Sequence, residues 1–338
     1  MPESISSPEP SPGLPAEDIA VLRAFYDAMC FAAPETRALF AGMISDLRRQ
    51  SFAPLAEQPS AEATHIAAAL AAEGFADLGV LVDAASVAQM LAYFRSAPLY
   101  AGHVVEHSDD VPREFGEIRR TSHYGCYDRA HVLGCPHLIE IANDPLLLQS
   151  AEAYLGCPPT IYSLNAWWSF AQSGTAAPYS QSLHRDIEEL RFVTLFIYLT
   201  PVGDRNGPHR YVKHSHNKAV LAEALLKSGW QPGAIETLID PLFKGIGYDQ
   251  SARADALLGR LATVWKGPAG SAILADTYGL HMGVPVLEGE RLMVWVRYGL
   301  GPNSASFGGG QGRHTAMVRA RIPDTARARY VNRLLLSE

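Results

Sequence analysis

The feature that most narrows this sequence is an alternation. In Leu183-His184-Arg185-Asp186 a histidine and a carboxylate stand two positions apart. Side chains at i and i+2 of a β-strand leave the same face, so His184 and Asp186 are expected to point inward together while Arg185 points away. A further histidine, His281, follows, and Arg291 stands ten positions beyond it. Two imidazoles and one carboxylate on one face of a metal ion leave the opposite face open, a ligand set that suits a non-heme Fe(II) oxygenase. The chain therefore reads as an enzyme.

The surrounding pattern mixes strands and helices. β-Branched and aromatic content predicts a strand over Thr160 to Ala171, and Ser173-Gly174-Thr175-Ala176-Ala177-Pro178 is a loop feeding the first metal-ligand strand. Other strands are expected over Phe75 to Val82, Arg191 to Thr200, Ser271 to Asp276 and Arg291 to Tyr298. Helical spacing covers Ala16 to Ala32, as in Ile19, Leu22, Phe25, Tyr26 and Met29, and again Pro34 to Arg49. A third helix runs from about Ser60, its N-cap, to Glu73, with Gly74 as its stop. Ala84 to Arg95 and His137 to Leu155 are also helical, the latter punctuated by Pro145. Residues 1–15, rich in proline, serine and glutamate, bury too little apolar surface to order themselves and read as a disordered tail. Residues 16–73 form a helical region packed on the core, and 74–338 the catalytic domain.

Charge and cysteine content restrict partners and compartment. Twenty-eight basic against 35 acidic residues give net charge −7, which argues against nucleic acid, because a polyanion needs a basic surface. The locally basic C-terminal stretch, with Arg313, Arg319, Arg321, Arg327, Arg329 and Arg333, reads as a solvated helical face. Cys30, Cys126, Cys135 and Cys157 show no C-x-x-C pairing, which fits a reduced, cytoplasmic setting. The first residues lack the basic start and apolar run of a signal peptide, and no window has the apolar length of a membrane span.

Beyond the ligand motif, the residues Phe196-Ile197-Tyr198-Leu199-Thr200, Asn206-Gly207-Pro208, Ser215-His216, Gly270-Ser271-Ala272-Ile273-Leu274-Ala275-Asp276-Thr277 and Gly289-Glu290-Arg291 recur in a familiar order. With His184, Asp186 and His281 they make a stretch from about Gly74 to about Leu300 that resembles the phytanoyl-CoA dioxygenase family of Fe(II)/2-oxoglutarate oxygenases. The resemblance implies a mainly β fold with flanking helices: a double-stranded β-helix, the cupin-like jelly roll, holding Fe(II) and 2-oxoglutarate near one mouth. It departs at Lys213-His214, where the family usually has Pro-Gly before Ser-His.

By that resemblance His184, Asp186 and His281 are the metal ligands, and O₂ and 2-oxoglutarate are co-substrates giving succinate and CO₂. Arg291 is the expected anchor of the far 2-oxoglutarate carboxylate, since a guanidinium grips a carboxylate bidentately where lysine binds as a point charge. Asn165 and Thr194 lie on strands flanking the site in this family and either hydrogen-bond 2-oxoglutarate or pack within the sheet. Trp167, Trp168 and Tyr179 precede the metal motif as pocket-lining aromatics, although adjacent tryptophans on a strand face opposite ways and one of them belongs to the core. Arg297 shares a strand face with Arg291 and contacts either an anionic substrate or an acid at the barrel rim. The carboxylate at Asp186 favours hydroxylation over halogenation, since related halogenases carry a small residue there.

Two readings stay open on the sequence. His209, His214 and His216 suggest either a second metal site or structural histidines. Asn217 to Gly267, roughly fifty residues of helical pattern, is too long for a simple strand connection and reads as an insertion, either a lid or a packing and dimer surface. The competing functional classes are a metal-binding jelly roll without oxidative chemistry and an oxygenase of protein side chains. A small-molecule substrate and a homodimer are the partners expected.

Overall fold

Alternation along the longest strands decides the architecture. In the computed structural model, the described residues are 16–52, 58–102, 111–171, 181–243, 251–301 and 315–336. They contain ten strands: β1 Phe75–Val80, β2 Tyr100–Ala101, β3 Tyr124–Cys126, β4 Thr160–Phe170, β5 Phe192–Tyr198, β6 His209–Val212, β7 Ala262–Trp265, β8 Ser271–Ala275, β9 His281–Gly283 and β10 Glu290–Gly299. Seven form a major sheet in the order β1-β8-β5-β10-β4-β3-β2, and three form a minor sheet in the order β7-β6-β9, with every pairing antiparallel. This is the jelly roll expected from the sequence.

On β10, Leu292, Val294, Val296 and Tyr298 enter an outer core, while Met293 and Trp295 enter an inner one. On β5, Val193, Leu195 and Ile197 face outward, and Phe196 and Tyr198 face inward. The inner core also takes Tyr211 from β6 and Trp265 from β7, so it lies between the two sheets. Each such side chain removed from water contributes roughly 1.5–3 kcal/mol, and period-two burial on both faces of β10 and β5 pins the register.

The outer face of the major sheet is covered by helices. These include α3 Ala61–Glu73, α4 Ala84–Arg95, α5 Phe115–Thr121, α6 Arg129–Gly134, α7 Leu138–Ala142 and α8 Pro145–Leu155, following α1 Ala16–Cys30 and α2 Pro34–Ser51. Their ends follow local chemistry. Ser60 caps α3 by accepting from the Ala63 amide at 3.1 Å, and Gly74 ends it at φ +78°, where a Cβ would collide with Tyr211 and His216. Asp144 caps α8 and splits the expected His137–Leu155 helix in two, with Pro145 at the first turn.

The segment after β6 folds as α9 Lys218–Lys227, α10 Pro232–Phe243 and α11 Ser251–Leu258. Leu225, Ile235, Leu238, Ile239 and Leu242 pack with Val212 and Leu280, so these helices cover the minor sheet. The helical pattern expected over Asn217 to Gly267 stops earlier: Ala262–Trp265 is β7, paired with β6. β-Branched Thr263 and Val264 fit a pleated surface better than a helix. The strands β2, β3, β6 and β9 were not foreseen. Three short helices follow β10, α12 Thr315–Arg319, α13 Ala326–Val331 and α14 Arg333–Leu336. The arginines of this stretch are only partly solvated: Arg321, between α12 and α13, pairs with Glu140 and Arg327 with Glu152, both largely buried, whereas Arg329 is exposed beside Asp324. Arg313 and residues 1–15 lie outside the described residues.

Candidate metal centre and co-substrate slot

His184 and Asp186 occupy an extended stretch that joins the core through a single bridge, not the regular strand expected. His184 exchanges both backbone hydrogen bonds with His281 at 3.0 Å, and the Asp186 amide donates to the Thr277 carbonyl at 2.9 Å. Three side chains from distant parts of the sequence therefore meet. One donor atom from each of His184, Asp186 and His281 falls within 4.8 Å of the others. His184 Nε2 is 3.8 Å from Asp186 Oδ1, and His281 Nε2 is 3.6 Å from Asp186 Oδ2.

Both imidazoles are oriented from behind. His184 Nδ1 donates to the Ser182 carbonyl at 2.8 Å and His281 Nδ1 to the Gly279 carbonyl at 2.9 Å. A carbonyl only accepts, so the proton sits on Nδ1 and Nε2 is left with its lone pair for a metal. Burial, and then the neighbouring His281, lower the His184 pKa to about 4, so the ring is neutral near pH 7. Burial opposes ionisation of Asp186, but Arg297, His281 and His184 outweigh it and hold its carboxyl down to about 2. Two imidazole Nε2 atoms and one carboxylate are the donor set of a facial metal site, and they fit a divalent transition metal.

Arg185 does point away from this centre, yet it is buried. Its guanidinium donates to the carbonyls of Leu242 at 3.2 Å, Ser215 at 2.6 Å and Tyr278, and stacks 4.1 Å from the Phe243 ring. It thus ties the end of α10, where the helix dipole favours a cation, to the segments entering His184 and His281. Replacing Arg185 by Met should leave three carbonyls short of a charged donor and cost about 3 kcal/mol of stability. Urea unfolding measures this, and an unchanged midpoint would refute the role. Ser215 works on the same segment: its hydroxyl donates to the Val212 carbonyl at 2.6 Å and accepts from the Leu280 amide at 2.7 Å.

Arg291 is 2% exposed on β10. It donates to the Gly207 carbonyl and, at 3.0 Å, to Ser169 Oγ, while its Nε has no hydrogen-bond partner among the described residues. No described carboxylate pairs with it. A buried guanidinium without an anion is costly unless a ligand supplies one, and this orphaned donor fits the far carboxylate of 2-oxoglutarate.

Arg297, six residues further along the same face of β10, is committed to acids. It donates to Asp186 Oδ2 at 2.8 Å and to Glu188. Thr194 shares a 3.2 Å hydrogen bond with Thr277, the residue that also bonds Asp186. Asn165 Oδ1 accepts from the Ala166 amide at 2.8 Å and lies opposite Trp295 on β10. Trp167 faces the inner core and meets Trp295 edge-on at 4.6 Å, whereas Trp168 turns to the outer core and donates to Tyr127 at 2.9 Å. Tyr179 lies outside the described residues.

The histidine cluster separates. His214 bonds the Ala72 carbonyl and His216 the Ala71 carbonyl, both holding the end of α3. His209 instead faces the centre, its ring 5.5 Å from that of His281 and its Nε2 without a hydrogen-bond partner among the described residues. Burial, with His281 and Arg291 beside it, keeps its pKa well below the usual value. Sequence reasoning grouped it with the wrong histidines; its place opposite Trp265 on a strand of four residues was the missing signal.

The pattern of one family, phytanoyl-CoA dioxygenase (PhyH), matches residues 70–283, well over half of the chain. The chain belongs to the phytanoyl-CoA dioxygenase family. It is accordingly an iron- and 2-oxoglutarate-dependent oxidoreductase, and its three metal-site residues fit that chemistry. No curated protein is significantly similar to it. Among solved structures, EctD from S. alaskensis with bound Fe is 17% identical with a TM-score of 0.46, covering 72% of this chain and 79% of that one. HygX from Streptomyces hygroscopicus with nickel, 2-oxoglutarate and hygromycin B bound is 14% identical with a TM-score of 0.45, covering 71% and 87%. The epimerase SnoN from nogalamycin biosynthesis is 17% identical with a TM-score of 0.42, covering 70% and 82%. No helix among the described residues is long and apolar enough to cross a membrane.

Proposed function

We propose that this member of the phytanoyl-CoA dioxygenase family hydroxylates an unactivated C–H bond of a small or medium-sized metabolite, with release of succinate and CO₂. The observation that carries the reading is a preoriented His184–Asp186–His281 group, reached from the minor sheet, beside which His209 adjoins a buried, acid-free Arg291 on the major sheet. In this reading His184, Asp186 and His281 hold Fe(II), and Arg291 grips 2-oxoglutarate. His209 Nε2 lies where it can meet the same co-substrate. When bound, iron and 2-oxoglutarate supply the oxidising power; the protein orients them and keeps water out.

The charges support this assignment. Asp186 and Glu188 balance Arg291 and Arg297, so a divalent cation and a dianion enter together without adding net buried charge. Arg297 then acts by fixing Asp186, and Thr194 by holding Thr277, each positioning a ligand instead of touching substrate. Asn165 and Trp167 serve as the inner wall. The carboxylate at Asp186 leaves no room on iron for a halide, which favours hydroxylation. None of the four cysteines forms a disulfide, which suits a reducing, cytoplasmic setting.

Anaerobic titration with Fe(II) and then 2-oxoglutarate tests the reading, followed by a metabolite screen scored by succinate release. Stoichiometric iron binding with saturable 2-oxoglutarate binding is expected. Iron binding without any 2-oxoglutarate binding would favour the non-oxidative jelly-roll alternative.

A further inference from the structure

More than half of the large apolar side chains left exposed among the described residues fall between Val21 and Leu47. Val21, Leu22 and Phe25 face outward from α1, and Leu39, Met43 and Leu47 face outward from α2, the last three 63%, 57% and 60% exposed. The opposite face of the hairpin is also apolar: Cys30 and Ala41, with Tyr26, Met29, Phe40 and Ile44, pack on Leu155, Leu190 and Leu300. A helical pair that is apolar on both faces belongs inside an assembly, because a solvated helix carries a polar outer stripe.

We propose that a second copy of this chain covers this face, with the two α2 helices crossing antiparallel about a two-fold axis at Met43. Leu39, Met43 and Leu47 form an i±4 ridge, the element of the commonest helix-on-helix packing, at a crossing angle of roughly −50°. Beside Met43 stands Gly42, where an added Cβ would meet nothing within 4 Å, so the backbone is bare at the crossing. The axis places Leu39 of one copy against Leu47 of the other, the self-complementary arrangement a two-fold interface requires. The helix dipoles agree, because antiparallel pairing sets the N-terminal end of one α2 toward the C-terminal end of the other, while Glu35, Arg48 and Arg49 keep their partners Lys218, Tyr330 and Asp46 within the chain. Six side chains of roughly 200 Å² each, about 60% exposed, with Phe31 at the turn, offer on the order of 800 Å² per copy, the share of a standard interface.

Other occupants fit less well. A lipid surface calls for a basic polar face, yet α1 carries Glu17, Asp18 and Asp27 against Arg23. Residues 1–15 offer only Met1, Ile5 and Leu14 as large apolar groups, too few to cover the patch. Dimerisation would also reach the metal centre. Tyr26 of α1 donates to the Glu189 carboxylate and Arg37 of α2 to the Glu189 carbonyl, three residues after Asp186. A hairpin clamped by its twin steadies that segment.

Sedimentation of the full chain at tens of micromolar tests the proposal. The parent should sediment at twice 36.7 kDa, and Leu39→Glu/Met43→Glu at the single mass with an unchanged far-UV spectrum. Leu226→Glu, on the exposed face of α9, should leave the dimer intact. Met43→Cys should close a disulfide with itself on oxidation, and Leu39→Cys mixed with Leu47→Cys should cross-link more than either alone. These cysteine variants also serve if the double glutamate variant fails to fold. A monomeric parent, a dimer that survives the glutamates, a dimer broken by Leu226→Glu, absent cross-links, or flotation of the parent with anionic vesicles would each overturn it.

Discussion

Asp186→Ala should lose iron and with it at least roughly a hundredfold of succinate-forming activity, the upper end of what losing a partner at a metal site costs. The substitution removes the only carboxylate of the three-residue group and leaves His184 and His281 as the two remaining donors. It also strips Arg297 of one of its two acids, so positive charge now faces the space a cation must enter. The fold should survive, because the backbone bonds of His184 to His281 and of residue 186 to Thr277 do not use the carboxylate. Iron content after gel filtration and succinate formed in 2-oxoglutarate turnover are the two readings. Stoichiometric iron with near-parent turnover would show that Asp186 is no ligand.

Arg291→Leu should raise the 2-oxoglutarate requirement by roughly two to three decades while iron binding stays close to the parent. Removing the partner of a buried carboxylate costs about 3–5 kcal/mol, and each 1.4 kcal/mol is tenfold in binding. The protein itself should tolerate the loss better than most buried charges allow, since among the described residues Arg291 pairs with no acid and bonds the Gly207 carbonyl and Ser169. Measured by equilibrium titration of each ligand separately, equal losses of iron and 2-oxoglutarate would point to general misfolding and count against the anchor.

Much of the core was legible because long strands advertise themselves. β4, β5, β8 and β10 are buried on both faces, and the helix α3 is bounded by Ser60 and Gly74. The short minor-sheet strands were not, since four residues at β6 and three at β9 carry too little periodicity to stand out. The same shortness hid His209, whose meaning comes from which sheet it faces. Glu188 and Glu189 look like an ordinary solvated acidic pair in sequence. Both are held inside by distant partners, Arg297 from β10 and Tyr26 from α1, and no local pattern announces such long-range pairing. Arg185 was read correctly as pointing away from the metal; that it points into another core, onto α10, depended on the fold of the segment after β6.

β10 acts as a fixed ruler. Arg291 and Arg297 are six residues apart on one face, about 20 Å of extended chain, and the residues between them alternate between two separate cores. Deleting a single residue in that interval would exchange the faces, sending one arginine into the helix-covered side and Leu292 or Val294 into the cofactor side. Such a chain has no graded way to move Arg291 relative to Arg297 and the Asp186 carboxylate that Arg297 holds. Changes of shape around the centre that leave this spacing intact therefore fall to the rim and to the helical cover.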